Sequence, residues 1–309
     1  MTITVLPEAQ APFVKAVAAG GVEAQPLSAE TEGVVWLDPK GASQLAEVLD
    51  ANPQVRWVQL PFAGVDAFTD VFTSHSSITF TSAKGAYDEP VAEHALALTL
   101  AALRDFGPYS RRTSWSAQAG RSLYDLRVAV VGAGGIGREI VRLLQPFRAK
   151  ITVVRRRQQP VEGAERVVDD QTFRSLVAEF DVIILAAALT AGTKHLLGAE
   201  EFKALPNDAV VVNIARGPQI DTDALAEAIT QGEIAGAGVD VTDPEPLPDG
   251  HPLWTAGNVI ITPHTANTWA MAQKPLSARI SHNVRAFLGE SDGGSAVEFA
   301  GVVDKQAGY

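Results

Sequence analysis

Three observations predict an α/β chain of two domains, each built on a parallel sheet. Short apolar runs recur along the whole sequence, separated by segments whose apolar residues have helical spacing. The runs are near-continuously apolar and do not alternate, as strands covered on both faces must be. At roughly 150 residues per domain, a chain of 309 residues favours two.

The first series places strands at Ile3–Leu6, Val34–Leu37, Val55–Leu60 and Ile78–Thr81, with helices near Glu8–Ala19 and Ser43–Leu49. A long helix follows over Pro90–Leu103, with proline at its start, where the missing N–H costs nothing. It could carry the chain out of the first domain. The second series runs through Leu126–Val131, Ile151–Val154, Val182–Ala187, Ala209–Val212, Gly236–Val241 and Val259–Ile261, with Asp221 placed to cap one of the intervening helices. A last helix near Lys274–Leu288 is read as returning to the first domain. The expected boundaries are therefore 1–98 with 284–309 for the smaller domain and 99–283 for the larger. Trp36, Trp57 and Trp115 read as core or interface residues.

Composition excludes several classes. A net charge of −11 argues against a nucleic-acid or anionic-membrane partner. The absence of cysteine removes disulfides, thiolate nucleophiles and thiolate metal sites. Met1–Pro7 has neither a basic stretch nor a long apolar one, and no run of ~18 apolar residues occurs, so a cytoplasmic protein is the default expectation.

Gly132-Ala-Gly134-Gly135-Ile136-Gly137 follows the strand Val128–Val131 and opens a helix with Ile140, Leu143, Leu144 and Phe147 on one face. A G-x-G-x-x-G in that setting is a dinucleotide fingerprint: the glycines admit a pyrophosphate, and the helix N-terminus offers it unpaired N–H groups. The larger domain is thus expected to be a Rossmann-type doubly wound parallel sheet. At the end of the next strand, where an acidic residue would take a ribose 2′-hydroxyl, stand Arg155, Arg156 and Arg157. Arginines attract a 2′-phosphate, so NADP is expected in preference to NAD.

Three polar segments each follow an apolar run: Asn213-Ile-Ala-Arg-Gly217, Asp243-Pro-Glu-Pro246 and Thr262-Pro-His-Thr265. They deliver Arg216, Glu245 and His264 to the carboxyl ends of strands, where open α/β sheets bind ligands. A guanidinium can hold an anionic substrate, and a carboxylate can tune an imidazole that delivers a proton. No pair of histidines has metal-ligand spacing, so no metal is expected. His75, His94, His195, His251 and His282 read as surface or helix-packing residues, while Tyr87 and Trp269 are placed either to shape a pocket or simply to pack.

With these motifs in this order, the chain resembles the D-isomer-specific 2-hydroxyacid dehydrogenases, which include glyoxylate/hydroxypyruvate reductases. Leu60-Pro-Phe-Ala-Gly-Val-Asp66 looks like the family's substrate loop, Val91–Leu98 like its interdomain helix and Leu189–His195 like its cofactor-side loop. The resemblance implies a flavodoxin-like smaller domain and reversible, NAD(P)H-dependent reduction of a small 2-oxo acid to the D-2-hydroxy acid. It makes Arg216 the substrate arginine, Glu245 the partner of the acid/base His264, and Ala63 and Gly64 backbone donors to the substrate. On the cofactor side it adds Ala188, Thr193, Ala215 and Asp240 to the glycines and arginines. A homodimer is also implied. Two positions depart from the pattern: Asp125 and Asn267 stand where the family often has glycine. The same fold carries NAD(H)-sensing, corepressor-like binding proteins, an alternative that fold alone leaves open. The acidic balance and the arginine run favour a reductase.

Overall fold

The computed structural model describes residues 1–292 and 295–305. The chain divides into two compact units, Met1–Tyr87 together with the chain from Thr268 onward, and Asp88–Asn267.

The first unit contains β1 (Thr2–Leu6), α1 (Ala11–Ala19), β2 (Thr31–Trp36), α2 (Ala42–Ala51), β3 (Trp57–Gln59), α3 (Thr69–Ser74) and β4 (Thr79–Thr81). Its strands form a parallel sheet in sequential order, β1-β2-β3-β4, so β1 lies at an edge. Trp36 and Trp57 are buried, as expected, and Phe72 meets Phe80 edge-to-face at 4.9 Å between centroids. The core is not wholly apolar. Gln59 Oε1 accepts from Thr81 Oγ1 at 2.9 Å and from Asn283 Nδ2 at 2.7 Å, which ties the returning C-terminal helix to β3.

The second unit contains α4 (Asp88–Leu103), α5 (Phe106–Ser110), β5 (Arg127–Val131), α6 (Gly135–Leu144), β6 (Lys150–Val154), β7 (Arg166–Val168), α7 (Asp170–Leu176), β8 (Val182–Leu185), α8 (Ala199–Ala204), β9 (Val210–Asn213), α9 (Thr222–Gln231), β10 (Gly236–Val239) and β11 (Val259–Ile261). Its seven strands are all parallel, in the order β11-β10-β9-β8-β5-β6-β7. The chain winds outward from β5 through β6 to β7, then resumes at β8 on the other side of β5. That reversal makes a crevice at the carboxyl ends of β5 and β8.

The unit boundaries fall earlier than expected at both crossings, after Tyr87 instead of residue 98 and after Asn267 instead of residue 283. The reason is that each connecting helix packs within one unit along its length. α4 lies against α6, β9 and β10. It approaches so closely that a Cβ on Gly238 would stand 2.7 Å from Leu98 Cβ, which accounts for the glycine in the middle of β10. The last helix, α10 (Trp269–Phe287), packs on α1 instead. It starts five residues before the expected Lys274, because Thr268 caps it by accepting from Met271 N, and Pro275 lies inside the helix. The Asp221 cap of α9 is present, its carboxylate accepting from Ala224 N at 3.0 Å. β7 is a further three-residue strand beyond those expected. No helix among the described residues is long and apolar enough to cross a membrane.

Candidate active site

β9, β10 and β11 are neighbours in the second sheet, and each ends just before one of the polar segments. Arg216 lies three residues beyond β9. Asn213, buried at the end of that strand, shapes the turn: its Oδ1 accepts from Ala215 N and its Nδ2 donates to Arg216 O, both at 3.0 Å. Gly217 then passes against the next loop, where a Cβ would lie 1.9 Å from Thr242 O, so no larger residue fits. This contact sets the Arg216 turn beside the segment that leads to Glu245. Arg216 is half-buried, with Nη1 donating to Ala215 O at 2.7 Å.

His264 lies three residues beyond β11 in the left-handed region, at φ 51°. Its N–H donates to Asp240 O at 2.8 Å. Its Nδ1 is 2.7 Å from Glu245 Oε1, and both side chains remain about half exposed. An ionised carboxylate only accepts, so Nδ1 carries the hydrogen and Nε2 is the nitrogen turned to any further partner. The expected Glu245–His264 pair is thus present as a hydrogen-bonded unit, on the loops after adjacent strands.

The glycine-rich turn fits a dinucleotide. Gly132 has φ 109°, donates from N to Val154 O at 2.8 Å, and has no room for a Cβ, which would lie 2.6 Å from Ala186 O. Gly137 lets α6 close on that turn, since a Cβ there would sit 2.1 Å from Gly132 O. At Gly134 nothing lies within 4 Å of the point a Cβ would occupy, so that side of the helix N-terminus is open to an incoming phosphate. Gly135 and Ile136 form the first turn of α6. Arg155 directly follows β6, its N–H donating to Val168 O, and Arg156 beside it is exposed. Across the crevice, the loop after β8 is held by Thr193, whose hydroxyl donates to Ala188 O at 3.0 Å while its oxygen accepts from Thr190 N at 2.7 Å. Ala215 and Asp240 are buried at the ends of β9 and β10.

In the first unit, Ala63 and Gly64 lie in the bend after β3. Tyr87 and Trp269 pack on that bend: Tyr87 Oη donates to Pro61 O at 2.6 Å, and the Trp269 ring meets Phe62 edge-on at 5.9 Å. Burial pushes the Tyr87 phenol well above its ordinary range, so it stays a donor. Trp115, placed among core or interface residues by sequence, is 99 % exposed and belongs to no core.

His75, His251 and His282 pair within 28 residues of sequence, with Asp50, Asp223 and Glu298 O. His94 does not follow that pattern. It meets Thr262, across 168 residues of sequence, and also Asp240, and no local motif signals the pairing. Asp125 takes φ 64°, the conformation its glycine counterpart would adopt, and is held there by Arg148 Nε and Nη2 at 3.0 and 2.8 Å. The Asn267 carboxamide is buried, with no hydrogen-bond partner among the described residues. Among those residues no group of three His, Cys, Asp or Glu could hold a metal ion.

Residues 96–266 match the family model described as D-isomer specific 2-hydroxyacid dehydrogenase, NAD binding domain. An uncharacterized protein in the proB 3′ region of Corynebacterium melassecola is 38% identical over 270 residues, covering 85% of this chain and 86% of that protein. The glyoxylate reductase of Korarchaeum cryptofilum is 30% identical over 251 residues, covering 78% and 76%. In three dimensions the chain resembles a D-isomer specific 2-hydroxyacid dehydrogenase of Xanthobacter autotrophicus, solved in complex with NADPH and MES, with a TM-score of 0.82, 24% identity and coverage of 100% and 99%; this is a likeness of fold. The chain belongs to the D-isomer specific 2-hydroxyacid dehydrogenases, oxidoreductases that act on CH–OH donors with NAD(P) and interconvert 2-oxo and 2-hydroxy acids.

Proposed function

We propose that the protein reduces a small 2-oxo acid of the glyoxylate or hydroxypyruvate kind to the D-2-hydroxy acid, using NADPH in preference to NADH. The observation that carries this reading is the hydrogen-bonded His264–Glu245 pair, delivered with Arg216 by three adjacent strands of a sheet whose crevice carries the glycine-rich turn. The substrate class follows the glyoxylate reductase relative, and the handedness follows the family.

Gly132, Gly134, Gly135, Ile136 and Gly137 would hold the pyrophosphate, with Arg155 and Arg156 beside the adenosine ribose and Ala188, Thr193, Ala215 and Asp240 lining the nicotinamide side. When bound, the nicotinamide supplies the hydride. The chain's own groups supply the rest. Arg216 binds the substrate carboxylate through its fork of donors; Ala63 and Gly64 are the backbone donors that the substrate-loop motif of the first unit assigns to the substrate. His264 donates its Nε2 proton to the oxygen that was the carbonyl, and Glu245 stabilises the imidazolium needed for that step. In the reverse direction the neutral Nε2 takes the proton from the hydroxyl. The family resemblance implies a homodimer, and the wholly exposed Trp115 of the second unit is the side chain at which that association is tested.

Following NADPH and NADH oxidation against glyoxylate, hydroxypyruvate, pyruvate, phenylpyruvate and branched 2-oxo acids tests the reading, with the product resolved by chiral chromatography. Expected are turnover of the smallest acids, a D product, and kcat/KM at least roughly tenfold higher with NADPH, corresponding to one charge-assisted hydrogen bond. An L product, or equal efficiency with the two cofactors, overturns the corresponding part.

A further inference from the structure

Behind His264 lies a polar cluster in which Thr262 and His94 have no role in the steps above, and Asp240 only that of lining the nicotinamide side. Asp240, 2 % exposed, spends its carboxylate on the turn that carries His264: Oδ1 accepts from Thr265 N at 2.8 Å and Oδ2 from Ala266 N at 3.0 Å. Thr262 Oγ1 is 2.6 Å from the same Oδ1. Burial pushes the Asp240 carboxyl up, but hydrogen bonds from His94, Thr262 and the Thr265 and Ala266 amides outweigh it and hold the group below the usual carboxylate range. Being ionised, it cannot donate, so the Thr262 hydroxyl must donate to it. The Thr262 oxygen is then an acceptor, and the group that faces it is His94 Nε2, at 3.0 Å and also 3.4 Å from Asp240 Oδ1. Donor and acceptor balance therefore fixes the hydrogen of His94 on Nε2. That N–H is present whether or not Nδ1 is protonated.

We propose that His94 is a positioning residue for His264. From α4 it donates to the Thr262–Asp240 pair, and that pair clamps the left-handed turn at residues 264–266 through two amides and, by the Asp240 carbonyl, through the amide of His264 itself. Removing the donor leaves the Thr262 oxygen unpaired and a buried carboxylate one partner short, which loosens the turn and lets the imidazole drift from its reacting geometry. The consequence for turnover rests on the reading of His264 as acid/base; the clamp itself does not.

The test uses the full-length protein with His94→Leu, which keeps bulk and removes the donor, and His94→Gln, whose amide nitrogen can reach where the imidazole Nε2 stands. Three quantities are measured: kcat and KM for glyoxylate, the Kd of NADPH, and hydrogen exchange at the Thr265 and Ala266 amides. Expected for His94→Leu are a kcat lowered by up to roughly 100-fold, exchange accelerated at both amides, and NADPH affinity within about twofold of the parent; His94→Gln restores most of kcat and of the protection. Should His94→Leu not fold, Thr262→Val removes the same link and carries the same expectation. Unchanged amide exchange in a folded donor-less variant overturns the clamp, as does equal damage from Leu and Gln, which would mean packing alone. If His264→Asn retains parental turnover while His94→Leu still exposes the two amides, the acid/base reading fails and the clamp stands.

Discussion

At the scale of single residues, the left-handed backbone of His264 decides how its role is tested. Asn tolerates that conformation better than most side chains, so His264→Asn should keep the turn while removing the proton donor. The expected result is near-parental NADPH binding with a loss of ~10²–10⁴-fold in kcat, measured by steady-state kinetics beside fluorescence titration of the cofactor; turnover close to the parent would remove His264 from the chemistry. His264, Glu245 and Arg216 are legible in the sequence because proton transfer and carboxylate binding demand particular side chains, and these stand in short motifs after apolar runs. His94 is not, since its partners Thr262 and Asp240 lie just beyond β11 and β10, far away in sequence, and nothing local distinguishes it from the other histidines. Asn267 departs from the family pattern in plain sight, but that its carboxamide is buried without a partner among the described residues is a fact of packing.

Secondary-structure elements show the same division. The strands and the fingerprint helix are visible because buried strands must be apolar and α6 must bury one face against β5. β7 escapes a reading by pattern because three residues carry no period, and the start of α10 escapes it because Pro275 reads as a beginning when Thr268 already caps the helix. Two glycines separate folding from binding in one turn. Gly137→Ala would drive a methyl into the Gly132 carbonyl and should cost about 1–3 kcal/mol. Gly134→Ala meets nothing, so urea unfolding should match the parent while the KM for NADPH rises at least roughly tenfold, as a methyl obstructs the phosphate. A Gly134→Ala variant that binds NADPH normally would mean that the phosphate does not approach there. At the other end of the sheet, Asp181 joins β5 to β8. Burial pushes its carboxyl up, yet hydrogen bonds from the Arg127 side chain and backbone, and from Arg121, bring it down to about 2. A depressed carboxylate contributes stability that is complete above its unfolded pKa and is lost as pH falls through the folded one. Asp181→Asn should therefore lower stability by roughly 2 kcal/mol at pH 7, and the gap should narrow below about pH 4. A gap that stays constant down to about pH 3 would show that the carboxylate charge is not the cause.

Over the whole molecule, two parallel-sheet units follow from length and pattern, while their borders depend on which unit each connecting helix packs against. Sequence does not tell a core tryptophan from an interface one, and only the fold shows Trp115 exposed. Burying about 200 Å² of indole at about 25 cal/mol per Å² is worth on the order of 5 kcal/mol before the costs of association. Trp115→Ser should therefore convert a dimer to a monomer at micromolar concentration, followed by sedimentation velocity. A dimer that persists unchanged would move the interface elsewhere.

Because Asp88–Asn267 is one unbroken stretch set into a unit made from the two ends of the chain, the glycine turn, Arg155, Arg216, Glu245, His264 and His94 can travel between genes together. A recombination between relatives with crossovers at Tyr87/Asp88 and Asn267/Thr268 would exchange cofactor choice and proton chemistry as a single cassette, leaving the loop with Ala63 and Gly64 with its original owner. Lineages of this kind can thus change the redox pool they draw on without rebuilding that loop.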